Sequence, residues 1–170
     1  LTYRALQSLG LEDAELEARL PALIDEGLQK LAQQQNPDGG WGWWYDAERG
    51  ESNPHVSAYV VFALLKARQT DVRVDETMLQ RGLDYLTTQL QTIRQVENYR
   101  AANQQAWLLY VLAEGRQAPQ EQLDNLFENR EKLSHYARAY LAQALWLRNP
   151  NDARLQTLLA DLNNAAILSA

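Results

Sequence analysis

Cysteine is absent from the 170 residues. Its absence excludes disulfides, thiolate zinc sites, iron–sulfur clusters and a cysteine nucleophile within these residues. Long apolar runs are absent too. The longest, 58–65 and 106–113, have eight residues each, whereas a membrane-spanning helix needs ~20. Basic residues are the minority, with 16 Lys and Arg against 22 Asp and Glu. The net charge of −6 argues against a dedicated nucleic-acid binder.

Motifs for catalysis or cofactor binding are also missing. The sequence has no His-x-x-x-His, no Gly-x-Ser-x-Gly and no glycine loop that would cradle a phosphate. The acids Asp38, Asp46, Glu48 and Glu51 lie close together, but their spacing does not match a calcium loop and favours a solvated loop. These residues therefore predict no catalytic, cofactor-binding or metal-binding site and no enzyme.

What the sequence does have is helical periodicity. Apolar residues recur at three- and four-residue steps, and no strand pattern of convincing length occurs, so the predicted fold class is all-α. Pro21 interrupts one pattern, and we expect it to kink or restart that helix. The predicted helices are 1–9, 12–31, 55–68, 75–95, 101–114, 119–129, 135–147 and 153–168.

Capping residues mark several helix ends. Gly10 and Gly115 are typical of a residue that follows a helix. Asn53 followed by Pro54 is typical of a helix start, and Ser134 can cap the helix that follows it.

Three apolar helices resemble one another and alternate with amphipathic ones. Each contains Ala followed by an aromatic residue and an apolar run. The three pairs are Ala58-Tyr59, Ala106-Trp107 and Ala139-Tyr140. Their spacings of 48 and 33 residues indicate a degenerate repeat of helical hairpins, with apolar inner and amphipathic outer helices. Such hairpins bury their inner helices against neighbours, so we expect a ring or a solenoid.

The densest motif runs from Gln35 through Pro-Asp-Gly-Gly to three tryptophans, Trp41, Trp43 and Trp44. The glycines favour a tight turn, while Gln35 can bond free backbone groups at a helix end and Trp41 can stack over it. We interpret the motif chiefly as a packing device. A tryptophan cluster that binds a sugar or an aromatic ligand is the alternative.

Two histidines are the side chains whose ordinary pKa lies nearest neutrality. His55 and His135 each follow a helix-start signal at the same end of an inner helix. A histidine that bonds the backbone at a helix terminus is the simpler interpretation, and an exposed functional role is the alternative.

The stretch 27–44 resembles the Gln–Trp repeat of α/α-toroid proteins, which include terpenoid cyclases, protein prenyltransferases and thioester domains. Cyclases of this shape carry Asp-rich acid motifs, and prenyltransferases hold zinc through Asp, Cys and His. This chain has neither an Asp-rich motif nor a cysteine. The resemblance therefore favours the thioester branch.

Four segments extend the resemblance to bacterial alpha-2-macroglobulin-like proteins over nearly the whole chain. They are 1–11 (LTYRALQSLGL), 38–44 (DGGWGWW), 57–60 (SAYV) and 128–140 (ENREKLSHYARAY). In that family the toroid carries a Cys-x-Glu-Gln segment whose Cys and Gln side chains form an internal thioester, and cleavage of a bait region triggers covalent capture of the protease. The resemblance places that segment just before Leu1, outside these residues.

The resemblance implies that residues 1–170 are a single domain, part of a thioester-type α/α toroid truncated at both ends. The parent would be an endopeptidase inhibitor that traps proteases in the periplasm or outside the cell, with any lipid or membrane anchor lying elsewhere in it. The implied partners are proteases and other domains of the same chain, with no nucleic acid and no direct membrane contact. His135 is the better match to the histidine with which eukaryotic relatives direct the thioester to hydroxyl groups.

An enzyme or ligand-binding toroid related to cyclases or prenyltransferases is the alternative. The inhibitor predicts a buried, tightly packed tryptophan cluster and no polar catalytic cavity. The alternative predicts an open, aromatic-lined cavity with converging acids.

Overall fold

The computed structural model of the chain describes residues 14–44, 50–70, 72–92 and 98–168. The predicted helix 1–9 with its terminator Gly10, the acids Asp46 and Glu48, and residues 93–95 lie outside the described residues. The chain divides into two compact units, Leu1–Gln34 and Gln35–Ala170. Each unit is described by itself below.

Regular structure in the described ranges is helical throughout, with no strand, which confirms the all-α prediction. A short 3-10 turn covers Arg130–Lys132. The described residues form seven α-helices: α1 (Ala14–Gln33), α2 (Pro54–Arg68), α3 (Glu76–Thr92), α4 (Tyr99–Glu114), α5 (Gln120–Glu128), α6 (His135–Arg148) and α7 (Arg154–Leu168).

In the first unit, α1 runs without interruption through Pro21. Of the two predicted outcomes at this proline, a kink or a restart, the restart does not occur. Proline removes one backbone donor and crowds the preceding turn, and the apolar periodicity from Leu16 to Leu31 continues on both sides of it.

In the second unit, side-chain caps set the starts of the inner helices. The Asn53 side chain accepts from the backbone N–H groups of His55 and Val56, with Pro54 in the first turn of α2. Ser134 accepts from Ala137 N–H at the start of α6. These caps satisfy backbone donors that a helix start leaves free, so the predicted starts hold to within one or two residues.

The helices of this unit form hairpins, as the repeat predicts. Helix α4 packs between α2 and α6, and each of these three inner helices also packs against an amphipathic outer helix: α2 against α3, α4 against α5, and α6 against α7. Helix α4 is the most enclosed, with an unbroken buried run from Gln105 to Ala113. The other two inner helices keep one open face, because Tyr59 of α2 and Tyr136 of α6 are more than half exposed.

Candidate functional site

The three inner helices border a cleft at their N-terminal ends. Its volume is about 490 Å³. The lining residues are Asn53, Pro54, His55, Tyr59, Tyr99, Arg100, Asn103, Gln104, Trp107, Tyr136 and Tyr140. Each inner helix contributes to the lining, so the cleft depends on the packing of α4 between its two neighbours.

The floor of the cleft is built from the aromatic residue of each repeat. The ring centroid of Trp107 lies 4.9 Å from that of Tyr59 and 5.0 Å from that of Tyr140. Phe62 and Tyr110, one turn further along, extend the cluster, and Tyr110 stacks on Tyr140 at 5.5 Å with an interplanar angle of 11°. The Ala–aromatic pattern read from the sequence thus becomes one continuous aromatic surface.

Asn103 fixes one wall of the cleft. It is 7% exposed, and its side chain accepts from both the backbone N–H and the hydroxyl of Ser134, at 3.0 Å each. Its amide donates to Tyr136 Oη at 3.1 Å. One buried amide therefore joins α4 to the start of α6 and sets the position of a tyrosine at the rim.

Three polar side chains nearer solvent have no hydrogen-bonding partner among the described residues. The side chains of His55, Arg100 and Gln104 make no hydrogen bond or ion pair with any part of the chain that the structure describes. No Asp or Glu is among the lining residues within the described ranges. The cleft thus offers donors and aromatic faces but no carboxylate, in a chain of net charge −6.

The far end of the aromatic surface is closed by an ion pair. Lys66 Nζ lies 2.7 Å from Glu114 Oε1, and Tyr110 Oη donates to the same oxygen at 3.0 Å. Burial, and then the hydrogen bond to Glu114, raise the pKa of Tyr110 to about 12. Burial also raises the pKa of Tyr140, helped by the neighbouring Tyr59 and Tyr136. These phenols stay protonated at neutral pH, so they act as donors and not as bases.

The Gln–Trp motif packs against α3 and the start of α2, and it adjoins the cleft, because Asn53 N–H donates to Trp41 O at 2.8 Å. Gln35 Nε2 donates to Gly39 O and to Met78 O of α3, both at 2.9 Å. Arg81 of α3 donates to Asn36 O at 2.8 Å. Gly39 has φ +90°, and a Cβ there would lie 2.4 Å from Arg81 O, so the tight turn requires glycine.

Trp41 sits at the centre of this turn and is 2% exposed. Its backbone N–H donates to Ser57 Oγ at 2.8 Å, and the Ser57 hydroxyl donates back to Trp41 O at 3.1 Å. Its ring packs on Gly82, where a Cβ would come within 3.0 Å of Cζ3. The interpretation of the motif as a packing device therefore fits Trp41.

The prediction of one buried tryptophan cluster is wrong for the other two tryptophans. Trp43 is 70% exposed and Trp44 is 87% exposed. They follow the turn, where Gly42 closely approaches the backbone of Glu51. Local sequence gives no signal for which of three adjacent tryptophans finds a partner helix.

The sequence-predicted histidines and acids are dispersed. His55 lines the cleft and meets Tyr59 edge to face at 5.0 Å, whereas His135 is exposed and does not line it. Asp38 accepts from Gly40 N–H and Ser52 Oγ within the turn. Among the described residues no group of three or more His, Cys, Asp or Glu side chains is placed to hold a metal ion.

Sequence reasoning did not find the cleft. Tyr99, Arg100, Asn103 and Tyr136 carry no motif of their own. The repeated Ala–aromatic pairs were the available signal, because equivalent positions of stacked repeats share a face.

The fold and cleft define a class: an all-helical hairpin repeat with an aromatic inner face. Comparison with known proteins narrows that class. The chain is 39% identical over 79 residues to the alpha-2-macroglobulin of Thermotoga maritima, a match that covers 46% of this chain and 5% of that protein. It is 30% identical over 132 residues to the alpha-2-macroglobulin of Escherichia coli strain K12, covering 74% of this chain and 8% of that protein. No protein-family model matches.

Solved structures agree. The native alpha-2-macroglobulin of E. coli, spanning domain MG7 to the C-terminus, superposes with a TM-score of 0.76 at 26% identity, covering 92% of this chain and 25% of that one. Salmonella alpha-2-macroglobulin reacted with methylamine superposes with a TM-score of 0.76 at 28% identity, covering 94% and 11%. The chain is therefore homologous to part of the C-terminal region of bacterial alpha-2-macroglobulins. It spans less than a tenth of the length of the curated relatives that it matches.

No helix among the described residues is long and apolar enough to cross a membrane.

Proposed function

We propose that this chain is part of the thioester-type α/α-toroid domain of a bacterial alpha-2-macroglobulin-like endopeptidase inhibitor that traps proteases. The thioester segment itself would lie outside the 170 residues, before Leu1. The supporting observation is the similarity to Salmonella alpha-2-macroglobulin reacted with methylamine, which covers 94% of this chain. Methylamine is a small nucleophile, and a thioester is an acyl donor that such an amine attacks.

The layered hairpins support a toroid, because inner helices that share an open face can close on further inner helices of the same kind. In this proposal residues 1–170 belong to one domain, act without enzymatic activity and work in the periplasm or outside the cell. Their partners are proteases, engaged through the parent protein, and the other domains of that protein.

The alternative, an enzyme or ligand-binding toroid, predicts converging acids in an aromatic cavity. The cleft has the aromatic lining, but its described residues include no Asp or Glu, and the comparisons do not favour this alternative.

The test is protease capture by the intact protein. We expect incubation with trypsin or elastase to give a covalent protease–inhibitor band on a denaturing gel, and pretreatment with methylamine to abolish that band. Captured trypsin should retain activity on a small chromogenic substrate and lose it on a large protein substrate. Reading the coding sequence immediately upstream for Cys-x-Glu-Gln is a second, independent check.

Two results would contradict the proposal. The first is the absence of any conjugate, together with undiminished trypsin activity on the large substrate. The second is an upstream sequence without the Cys-x-Glu-Gln segment, which would remove the thioester mechanism.

A further inference from the structure

We propose that Glu114 is a positioning residue: from the C-terminal end of α4 it holds the ring of Tyr110, and through that ring it sets the position of Tyr140 at the floor of the cleft. We call Lys66, Glu114 and Tyr110 the latch. The inference concerns how the aromatic floor is held in place, so it goes beyond the proposed function and does not rest on it.

Glu114 is an acid in a place that ordinarily disfavours one. It is the last residue of α4, where the helix dipole is negative, and its side chain is 7% exposed. A carboxylate loses its hydration on burial, so it is tolerated there only with a charged partner and hydrogen bonds. Neither helix propensity nor apolar packing accounts for Glu114, and its role therefore follows from the groups that it contacts.

Three donors converge on this carboxylate. Lys66 Nζ and Tyr110 Oη donate to Oε1 at 2.7 and 3.0 Å. Gln69 Nε2 donates to Oε2 at 3.4 Å. Lys66 and Gln69 come from the end of α2, so the carboxylate joins two inner helices to one aromatic ring. An apolar pair often holds two helices equally well, so stability alone does not explain a buried ion pair at this point.

Tyr110 carries this arrangement to the floor of the cleft. Its ring stacks on that of Tyr140 with centroids 5.5 Å apart and an interplanar angle of 11°, whereas Trp107 meets each of these two rings at 47°. A tyrosine ring is rigid and turns about two side-chain torsions, so an anchored hydroxyl fixes the plane of the ring. Parallel stacking depends on that plane, and we infer that the latch thereby orients Tyr140.

Lys66 makes a second connection to the floor, from the side of α2. Its ammonium lies 5.2 Å from the centroid of the Phe62 ring, and Phe62 contacts Trp107 at 5.6 Å and Tyr110 at 5.7 Å. A cation near a ring face is attracted by the quadrupole of the ring. The ion pair therefore holds one aromatic residue of α2 and one of α4, and both of them contact Trp107.

The experiment places a fluorine label in the floor of the intact protein, as Tyr140→p-trifluoromethylphenylalanine. The fluorine chemical shift senses the ring current of a stacked neighbour, so it reports whether the ring at position 140 stays on Tyr110. We expect a single resonance when the latch is intact. Glu114→Leu removes the acceptor of the Tyr110 hydroxyl and should raise the population of an unstacked ring about tenfold, as a loss of ~1.4 kcal/mol would.

Two further variants separate positioning from general stabilisation. Tyr110→Phe keeps the ring and removes the hydroxyl, so it should produce the same unstacked resonance as Glu114→Leu. The double variant should show no further increase, because both changes break one connection. Glu114→Gln keeps an acceptor for the hydroxyl and should restore the single resonance.

Glu76→Leu is the matched control. Glu76 pairs with Arg68 at 3.2 Å at the same end of α2, and this pair has no hydrogen bond to a tyrosine in the described parts of the chain. Its loss should leave the fluorine resonance unchanged. Hydrogen exchange of α4 should be retained in Glu114→Leu, which shows that the helix is still folded.

A single, unshifted resonance in both Glu114→Leu and Tyr110→Phe would overturn the inference. Additive effects in the double variant would also overturn it, because Glu114 would then act only by tying α2 to α4. If Glu114→Leu fails to fold, Tyr110→Phe decides alone, and an unshifted resonance in that variant overturns the inference. None of these readouts involves a protease, so a failure to capture trypsin would count against the proposed function and leave this result standing.

Discussion

Trp41 and Trp107 lie at the centres of two different regions of the second unit. Around Trp41, the turn directs its side-chain and backbone polar groups to partners: Gln35, Ser57 and Arg81 each bond backbone atoms from another segment. Around Trp107, aromatic rings pack with centroids about 5 Å apart, yet the side chains of His55, Arg100 and Gln104 make no hydrogen bond within the described residues. The same residue type fills a closed turn in the first region and forms the floor of an open cleft in the second. The difference lies in whether the surrounding polar groups are satisfied.

The largest expected effect is on the turn. Trp41→Ala should lower the free energy of local unfolding of α2 and α3 by about 3–5 kcal/mol, because a fully buried indole leaves a cavity. Native-state hydrogen exchange of the intact protein measures this loss. Trp44→Ala, at an exposed ring, should change it by less than about 0.5 kcal/mol. Equal effects of the two variants would contradict the conclusion that Trp41, and not Trp44, stabilises the turn.

The second prediction compares two glycines that lie inside helices. Gly82→Ala should destabilise α3 by about 1–3 kcal/mol, because the added Cβ would lie 2.7 Å from Val61 Cγ2 and against the ring of Trp41. Gly27→Ala in α1 meets nothing within 4 Å and should stabilise its helix by about 0.5–1 kcal/mol. Hydrogen exchange in each helix measures whether the substitution stabilises or destabilises it. A stabilised Gly82→Ala variant would show that the ring of Trp41 can move.

A third prediction sharpens the cleft side. Asn103→Leu leaves Ser134 N–H without its acceptor and should destabilise the start of α6 by about 1–3 kcal/mol. The adjacent amide is the control: Gln104→Leu removes no hydrogen bond that the structure records and should cost less than about 0.5 kcal/mol. If both variants loosen α6 to the same degree, Asn103 does not hold the wall of the cleft.

The last prediction concerns the stability of the fold at high pH, and no effect is expected at neutral pH. Burial and then the charge of Asp38 raise the pKa of Tyr85, beside the turn, to about 12, the value that Tyr110 reaches beside Glu114. An unfolded tyrosine titrates near pH 10. Between pH 10 and 12 the unfolded chain loses protons that the native state keeps, so this contribution to stability is complete below pH 10 and declines as pH rises through 12.

Near-ultraviolet titration of phenolate in the native protein measures these two tyrosines. Tyr85→Phe and Tyr110→Phe should each remove one late-titrating group. If every tyrosine ionises near pH 10, the hydroxyl groups of Tyr85 and Tyr110 are more accessible to water than their burial indicates.

Much of the fold follows from local sequence. Asn53 and Ser134 cap helix starts through their own side chains, so those helix starts are predictable. At the end of α4 the left-handed residue is Arg116 and not the predicted terminator Gly115, which has φ −81°. The cleft depends on how helices distant in sequence are aligned, and no local rule sets that alignment. The repeat places Tyr59, Trp107 and Tyr140 at equivalent positions, but Arg100 and Tyr136 become cleft residues only through packing.

The bond from Asn103 to Ser134 spans 31 positions and crosses from one hairpin to the next. The cap that starts α6 is therefore held by a residue of α4, so one hairpin stabilises the start of the next. Nearest-neighbour coupling of this kind gives repeat proteins cooperativity, because a unit gains its full stability only once the preceding unit has formed. We expect order to spread along this chain from α4 outward. Any movement that loosens α4 would therefore change where α6 begins, at the rim of the cleft.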